Sequence, residues 1–149
     1  MMTIKRLGLA GSLVSMLAFG GCAETNKVIG HNDQSWTMHA EKTAFSATAK
    51  VEVETGNKPN RDLKVEAERL TPAASMFEGT STYVVWLKPT DGKPLNIGVL
   101  KPDKDLKAEL ETSTPFTTFE VMVTAENDAQ ATRPTMGHEV LSTNVTVAS

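Results

Sequence analysis

The sequence predicts an all-β protein, a single antiparallel two-sheet β-sandwich of about seven strands with immunoglobulin-like architecture. Three observations carry that expectation. Apolar and polar residues alternate strictly over several short runs, the period of a half-buried strand. Clusters of Gly, Pro, Asn and Asp separate the runs, as turns require. No segment repeats apolar residues convincingly at the helical spacing that an amphipathic helix would need. An open barrel is the alternative closure.

The first run places Phe45, Ala47, Ala49, Val51 and Val53 on one face, with Ser46, Thr48, Lys50, Glu52 and Glu54 on the other. Gly56-Asn57-Lys58-Pro59-Asn60 ends it, and Leu63, Val65 and Ala67 then alternate with Lys64, Glu66 and Glu68. Thr71-Pro72 closes that strand, and residues 73–79 read as a connection. Tyr83-Val84-Val85-Trp86-Leu87 is apolar on both faces, which suits the centre of a sheet. Pro89-Thr90-Asp91-Gly92-Lys93-Pro94 follows as a hairpin turn in which Gly92 is expected to take a positive φ. Leu95, Ile97 and Val99 form the return strand, with Gly98 on its opposite face. Leu106, Ala108 and Leu110 alternate with Lys107, Glu109 and Glu111. Phe119, Val121, Val123 and Ala125 make the next strand, residues 127–137 a polar loop, and 140–147 the last strand, with Leu141, Thr143, Val145 and Val147 on one face.

Ahead of this body lies a different pattern. Lys5 and Arg6 precede an uncharged stretch at 7–19, which is too short for a spanning helix of about 20 residues but suits the apolar core of a secretory signal. Gly20, Gly21 and Cys22 follow. This resembles the lipobox of bacterial lipoproteins, in which a cysteine after two small residues is acylated and becomes the new N-terminus. Phe19 stands where that pattern usually has Leu, and Ala23 rather than Asp follows the cysteine, which in the family favours the outer membrane. The expected organisation is a signal peptide at 1–21, a lipid-anchored tether at 22–43 and the β-domain at 44–149. Trp36 and Met38 stand out within the tether as residues able to dock on the domain. Removing residues 1–21, Lys5 and Arg6 among them, leaves 128 residues with 13 basic and 18 acidic side chains, a side-chain charge of −5. That acidity argues against nucleic-acid binding. It also leaves the acyl chains, such as palmitate, to supply membrane attachment.

The body carries a second resemblance. Tyr83, Trp86-Leu87, Asp91-Gly92-Lys93-Pro94 and Gly98 resemble a stretch of the extracytoplasmic C-terminal domain of the anti-sigma-K factor family. Val123-Thr124-Ala125-Glu126, Arg133-Pro134-Thr135 and Gly137 are similar to that domain's later "V-T-x-E … P-T-G" stretch, with Met136 inserted before the glycine. Leu70-Thr71-Pro72 and Ala73 look like its segment before the tryptophan strand. The similarity spans roughly residues 51–142. It implies an envelope β-domain reused on a lipid tether. Family members carry a sigma-binding domain and a transmembrane helix for which this reading finds no counterpart, so no sigma-factor contact is expected.

Reactive motifs are missing from the sequence: it holds no G-x-S-x-G, H-E-x-x-H, P-loop or G-x-G-x-x-G pattern. A single cysteine excludes an internal disulfide and any cysteine-only metal cluster. Ser142 and Asp128 are the nearest partners in sequence for a relay through His138, and nothing in their spacing selects them. The pairs Glu52/Glu54, Glu66/Glu68 and Glu109/Glu111 fall on the solvent side of their strands. His31, Met38, His39, Met136 and His138 combine imidazole and thioether, donors that suit copper, and form the alternative reading of a metal-binding lipoprotein. The leading expectation is a non-enzymatic module without a cofactor, anchored in the outer membrane facing the periplasm. It would bind a protein or envelope polymer through sheet edges or the loops at 73–79 and 127–137.

Overall fold

The computed structural model describes residues 32–41, 45–55 and 59–148. Eight strands and one helical turn account for most of them: β1 (Asn32–Ala40), β2 (Thr48–Thr55), β3 (Arg61–Glu68), α1 (Ala73–Met76), β4 (Thr82–Pro89), β5 (Leu95–Leu100), β6 (Ala108–Thr114), β7 (Thr118–Glu126) and β8 (Glu139–Thr146). All neighbouring strands run antiparallel, in the order β5-β4-β7-β8-β1-β2-β3-β6. The predicted all-β class is what the protein has. Its strands are hydrogen-bonded into one continuous sheet, nearly barrel-like.

Continuity depends on a strand that alternation alone does not reveal. Residues 32–40, which the sequence reading assigns to the tether, form β1. Its first seven residues pair with β2, Asn32 opposite Thr55 through Met38 opposite Ala49. Its last two turn to β8, His39 opposite Ser142 and Ala40 opposite Leu141. Met38 points into the core and Trp36 and Gln34 are half-buried, while Asp33, Ser35, Thr37 and His39 are exposed. Only two large apolar side chains mark the inner face, so the strand owes its conformation to partners on both sides. The Gln34 side chain adds a clasp: its Nε2 donates to the Ala148 carbonyl (3.2 Å) and its Oε1 accepts from the Ala148 N–H (3.0 Å).

The main core gathers the inward residues of the strands, among them Val51, Val53, Leu63, Val65, Tyr83, Val85, Leu87, Val121, Val123 and Leu141, all at most 1% exposed. A second, smaller cluster lies on the outer face of β4 and β7, where Val84, Trp86 and Met122 are covered with help from Val99 and Ala131. β4 is therefore buried on both faces, as its doubly apolar sequence requires.

Three local expectations need correction. Gly92 does not take a positive φ; its N–H donates to the Pro89 carbonyl (3.2 Å) in a turn open to other residues. The glycine that does need its freedom is Gly98, at φ +143°, where a Cβ would stand 2.7 Å from Leu110 Cδ1. This close approach brings β5 and β6, the two strands at opposite ends of the sheet order, together. It also follows a bulge: Trp86 faces Asn96 while Val85 faces Gly98, so Ile97 has no opposite number. Alternation along β5 breaks there, and Ile97 packs on the main core while Val99 packs on the outer cluster. Leu106 is not part of β6; it sits at φ +62° in the preceding turn.

Register separates the connections into two kinds. Asn32, Pro59-Asn60, the 90–94 turn, the 115–117 link and the end of β8 lie together, as shown by the pairs Asn32–Thr55, Arg61–Thr114, Pro89–Phe119 and Thr118–Thr146. The opposite end carries residues 45–47, 69–81, 101–107 and 127–138, beyond the pairs Thr48–Glu68, Ala67–Ala108, Tyr83–Leu100 and Thr82–Glu126. The chain enters the domain at the short-turn end. No helix among the described residues is long and apolar enough to cross a membrane.

Candidate functional site

Three of the four long connections converge on an aromatic group. Phe45 precedes β2, Phe77 follows α1, and His138 leads into β8. Phe77 meets Phe45 edge-on (ring centroids 5.8 Å apart, 63°) and stacks on the His138 imidazole (4.5 Å, 26°). His138 Nδ1 lies 3.0 Å from the Ala125 carbonyl. That carbonyl can only accept, so the ring proton sits on Nδ1 and Nε2 is the ring's remaining nitrogen. All three rings are half-buried. Beside them Met136 is 93% exposed, next to Gly137 at φ +86°.

The 127–138 loop is held at both ends. Asn96 Nδ2 donates to the carbonyls of Ala129 (3.0 Å) and Ala131 (2.9 Å), and its Oδ1 accepts the Gly98 N–H. At the far end stands Glu126, only 3% exposed. Its Oε1 accepts from the Thr124 hydroxyl (2.6 Å) and the Thr135 N–H (2.8 Å), and its Oε2 from the Thr135 hydroxyl (2.6 Å). Thr124 Oγ1 in turn accepts the indole N–H of Trp86 (2.8 Å). A buried carboxylate is costly unless donors surround it, and here three do. The outcome is a polar chain from Trp86 through Thr124 and Glu126 to Thr135 that fastens the loop over the outer apolar cluster. It is made from residues of the Trp86, Val123–Glu126 and Pro134-Thr135 motifs, so those motifs serve the architecture.

The neighbouring connection is anchored by Tyr83, whose hydroxyl donates to the Thr71 carbonyl; burial pushes this phenol up to about 12. Thr80 Oγ1 donates to the Phe77 carbonyl (2.7 Å), which sets the turn carrying that ring.

Of the residues singled out for chemistry, Met136 and His138 lie here, and the others lie elsewhere. Cys22 and His31 are outside the described residues. Met38 is spent in the core and His39, next to it on the same strand, faces outward, so the two cannot share one ion. Among the described residues no three His, Cys, Asp or Glu side chains stand together as a metal site would need. Ser142 donates to the Glu41 carboxylate, not to His138, and Asp128 Oδ1 accepts the Gln130 N–H (2.9 Å), so no relay assembles. The paired glutamates lie on the β2–β3–β6 face among lysines: Lys50 to Glu52 (2.5 Å), Lys64 to Glu66 (2.7 Å) and Lys64 to Glu109 (3.4 Å). The Lys64 ammonium holds the Glu66 carboxyl below its ordinary range, the reverse of what a general acid needs.

Sequence reasoning missed the Glu126 chain. Its signal was present in the spacing: Thr124 and Glu126 follow Met122 at intervals of two, so all three share one face of β7. Compared with known proteins, the chain matches no family model and no curated protein.

Proposed function

We propose that this chain is a lipid-anchored protein of the bacterial cell envelope. Its body acts without catalysis by presenting the long-loop end to a protein or envelope-polymer partner. The observation that carries the reading is the polarity of the domain. The chain enters at Asn32 among the short turns, ten positions after Cys22, and every long connection lies at the other end. Acylation of Cys22 would tie the short-turn end near the bilayer and direct Phe77, Met136 and His138 away from it. Loops on a rigid scaffold commonly carry recognition, and these are rigidly seated. The signal pattern at 1–21 and Ala23 support attachment to the outer membrane on its periplasmic side. On this reading the fold works as a two-sheet sandwich of immunoglobulin-like character, with β1 shared between β2–β3–β6 and β8–β7–β4–β5. The resemblance to the anti-sigma-K extracytoplasmic domain supports an envelope setting.

Two measurements test it. Cys22→Ser should move the protein from the membrane to the soluble fraction; unchanged membrane association removes the anchor. A photo-crosslinker placed at Met136 in cells should give a discrete adduct, and one at Thr90, at the opposite end, should not. Adducts at neither position, or equally at both, would overturn the assignment of the long-loop end.

A further inference from the structure

We infer that the short-turn end is itself a lipid-docking surface, with the depression bordered by Pro89, Leu95, Pro115 and Phe116 lying against the bilayer to which Cys22 is attached. The inference rests on the lipid-anchor reading above and adds a second point of contact to it.

Covalent reach comes first. Nine residues, 23–31, separate Cys22 from the first residue of β1. Fully extended they cover at most about 32 Å. A domain of this size has a radius of gyration of about 13–14 Å. The short-turn end is therefore held within roughly one domain diameter of the bilayer.

Surface chemistry comes second. Among the described residues only Leu95 and Met136 are large hydrophobic side chains left exposed. Leu95, 47% exposed, lies at the short-turn end and borders the depression with Pro89, Gly92, Pro115 and Phe116. Met136 lies at the other end.

Charge comes third. The two charged residues that line the depression, Lys93 and Asp91, balance, and the Arg61 guanidinium reaches the Pro115 carbonyl (3.4 Å) beside it. The β2–β3–β6 face instead carries Glu52, Glu54, Asp62, Glu66, Glu68, Glu109 and Glu111 against Lys50, Lys64 and Lys107. Anionic headgroups repel that acidic face and leave the balanced end free to approach. One leucine and one half-buried phenylalanine would bind a bilayer poorly from solution. Once an acyl anchor makes the encounter intramolecular, the same weak contact is populated, because the effective concentration of lipid is high.

The test uses the full acylated protein in vesicles of phosphatidylethanolamine and phosphatidylglycerol. With Cys22 acylated the chain has no other cysteine, so Thr90→Cys accepts a single nitroxide label beside Leu95. Flotation with the vesicles is measured first; protein that does not float overturns the anchor reading and this inference with it. For floating protein, the oxygen-to-nickel-chelate collision ratio should be several-fold higher at position 90 than for a label at Met136→Cys. Leu95→Asp, an exposed substitution, should lower the ratio at 90 toward that of 136. Equal ratios in floating protein would overturn the docking and leave the anchor standing. Dipolar broadening between labels at 90 would assign this end to a second copy of the chain, and would overturn it equally.

Discussion

Thr124→Val keeps the volume and branching of the side chain and removes the hydroxyl on which Trp86 and Glu126 both depend. The indole N–H of Trp86, at 0% exposure, loses its acceptor, and the Glu126 carboxylate loses one of three donors. A buried donor left unpaired costs about 1–3 kcal/mol, and a hydrogen bond to a charged group contributes about 1.5–3 kcal/mol. The methyl that replaces the hydroxyl returns roughly 0.8 kcal/mol by apolar burial. The net loss should be about 2–5 kcal/mol. Urea unfolding of the mature chain carrying Cys22→Ser, followed by tryptophan fluorescence, reads it directly. Thr124→Ser is the control: it keeps the hydroxyl and should lose only about 1 kcal/mol, the contribution of one methyl group. Hydrogen exchange at the Thr135 amide should quicken in the valine variant and not in the serine variant. A valine loss below about 1 kcal/mol, or equal losses for the two variants, would refute the argument that this chain of bonds seats the loop.

Tyr83 is the only tyrosine in the chain, so absorbance at 295 nm should titrate near 12 in the folded protein and near 10 in urea. A phenol whose pKa is raised by folding stabilises the fold fully below its unfolded value. Stability should therefore fall between pH 10 and 12, by about 1.4 kcal/mol per pH unit across that window. Tyr83→Phe should remove that component, and a folded-state midpoint at 10 would contradict the burial. Gly98→Ala should cost about 2–4 kcal/mol, because alanine meets both the positive φ and Leu110. Adding Leu110→Ala should recover part of that loss, whereas strictly additive losses in urea unfolding would show that Leu110 is not the obstacle. Met136→Asp should change stability by less than about 0.5 kcal/mol, as exposed substitutions do. It should also abolish the crosslink formed by a photo-crosslinker at Phe77; an undiminished crosslink would exclude this methionine from the proposed surface.

Strict alternation in residues 45–54 and 63–68 was enough to locate β2 and β3, because each has one apolar and one polar face; β7 was located by Phe119, Val121, Val123 and Ala125, although its other face is also buried through Met122, Thr124 and Glu126. β4 was legible as a central strand for the opposite reason, being apolar on both. The paired glutamates were read correctly as solvent-facing, since a period of two leaves them no other side. β1 escaped because its inner face offers only Trp36 and Met38; a strand so lightly marked is made by its partners. β5 was placed but its facing was not, because a bulge at Ile97 shifts every later side chain to the other face. The long-loop site was legible only as two separate loops. Phe45 and His138 are more than ninety positions apart, and no local pattern announces that they meet the same ring.

The sequence by itself determined the class of the fold, the solvent face of most strands and the pattern around Cys22, since these depend on residues a few positions apart. Tertiary structure decided that the sheet is continuous through β1, that its outer strands meet at Gly98 and Leu110, and that Glu126 is a buried fastening for a loop. It also decided which end of the domain the chain enters and which end carries the long connections. Those are matters of long-range pairing, where the free energy of a contact depends on residues brought together only by the completed fold.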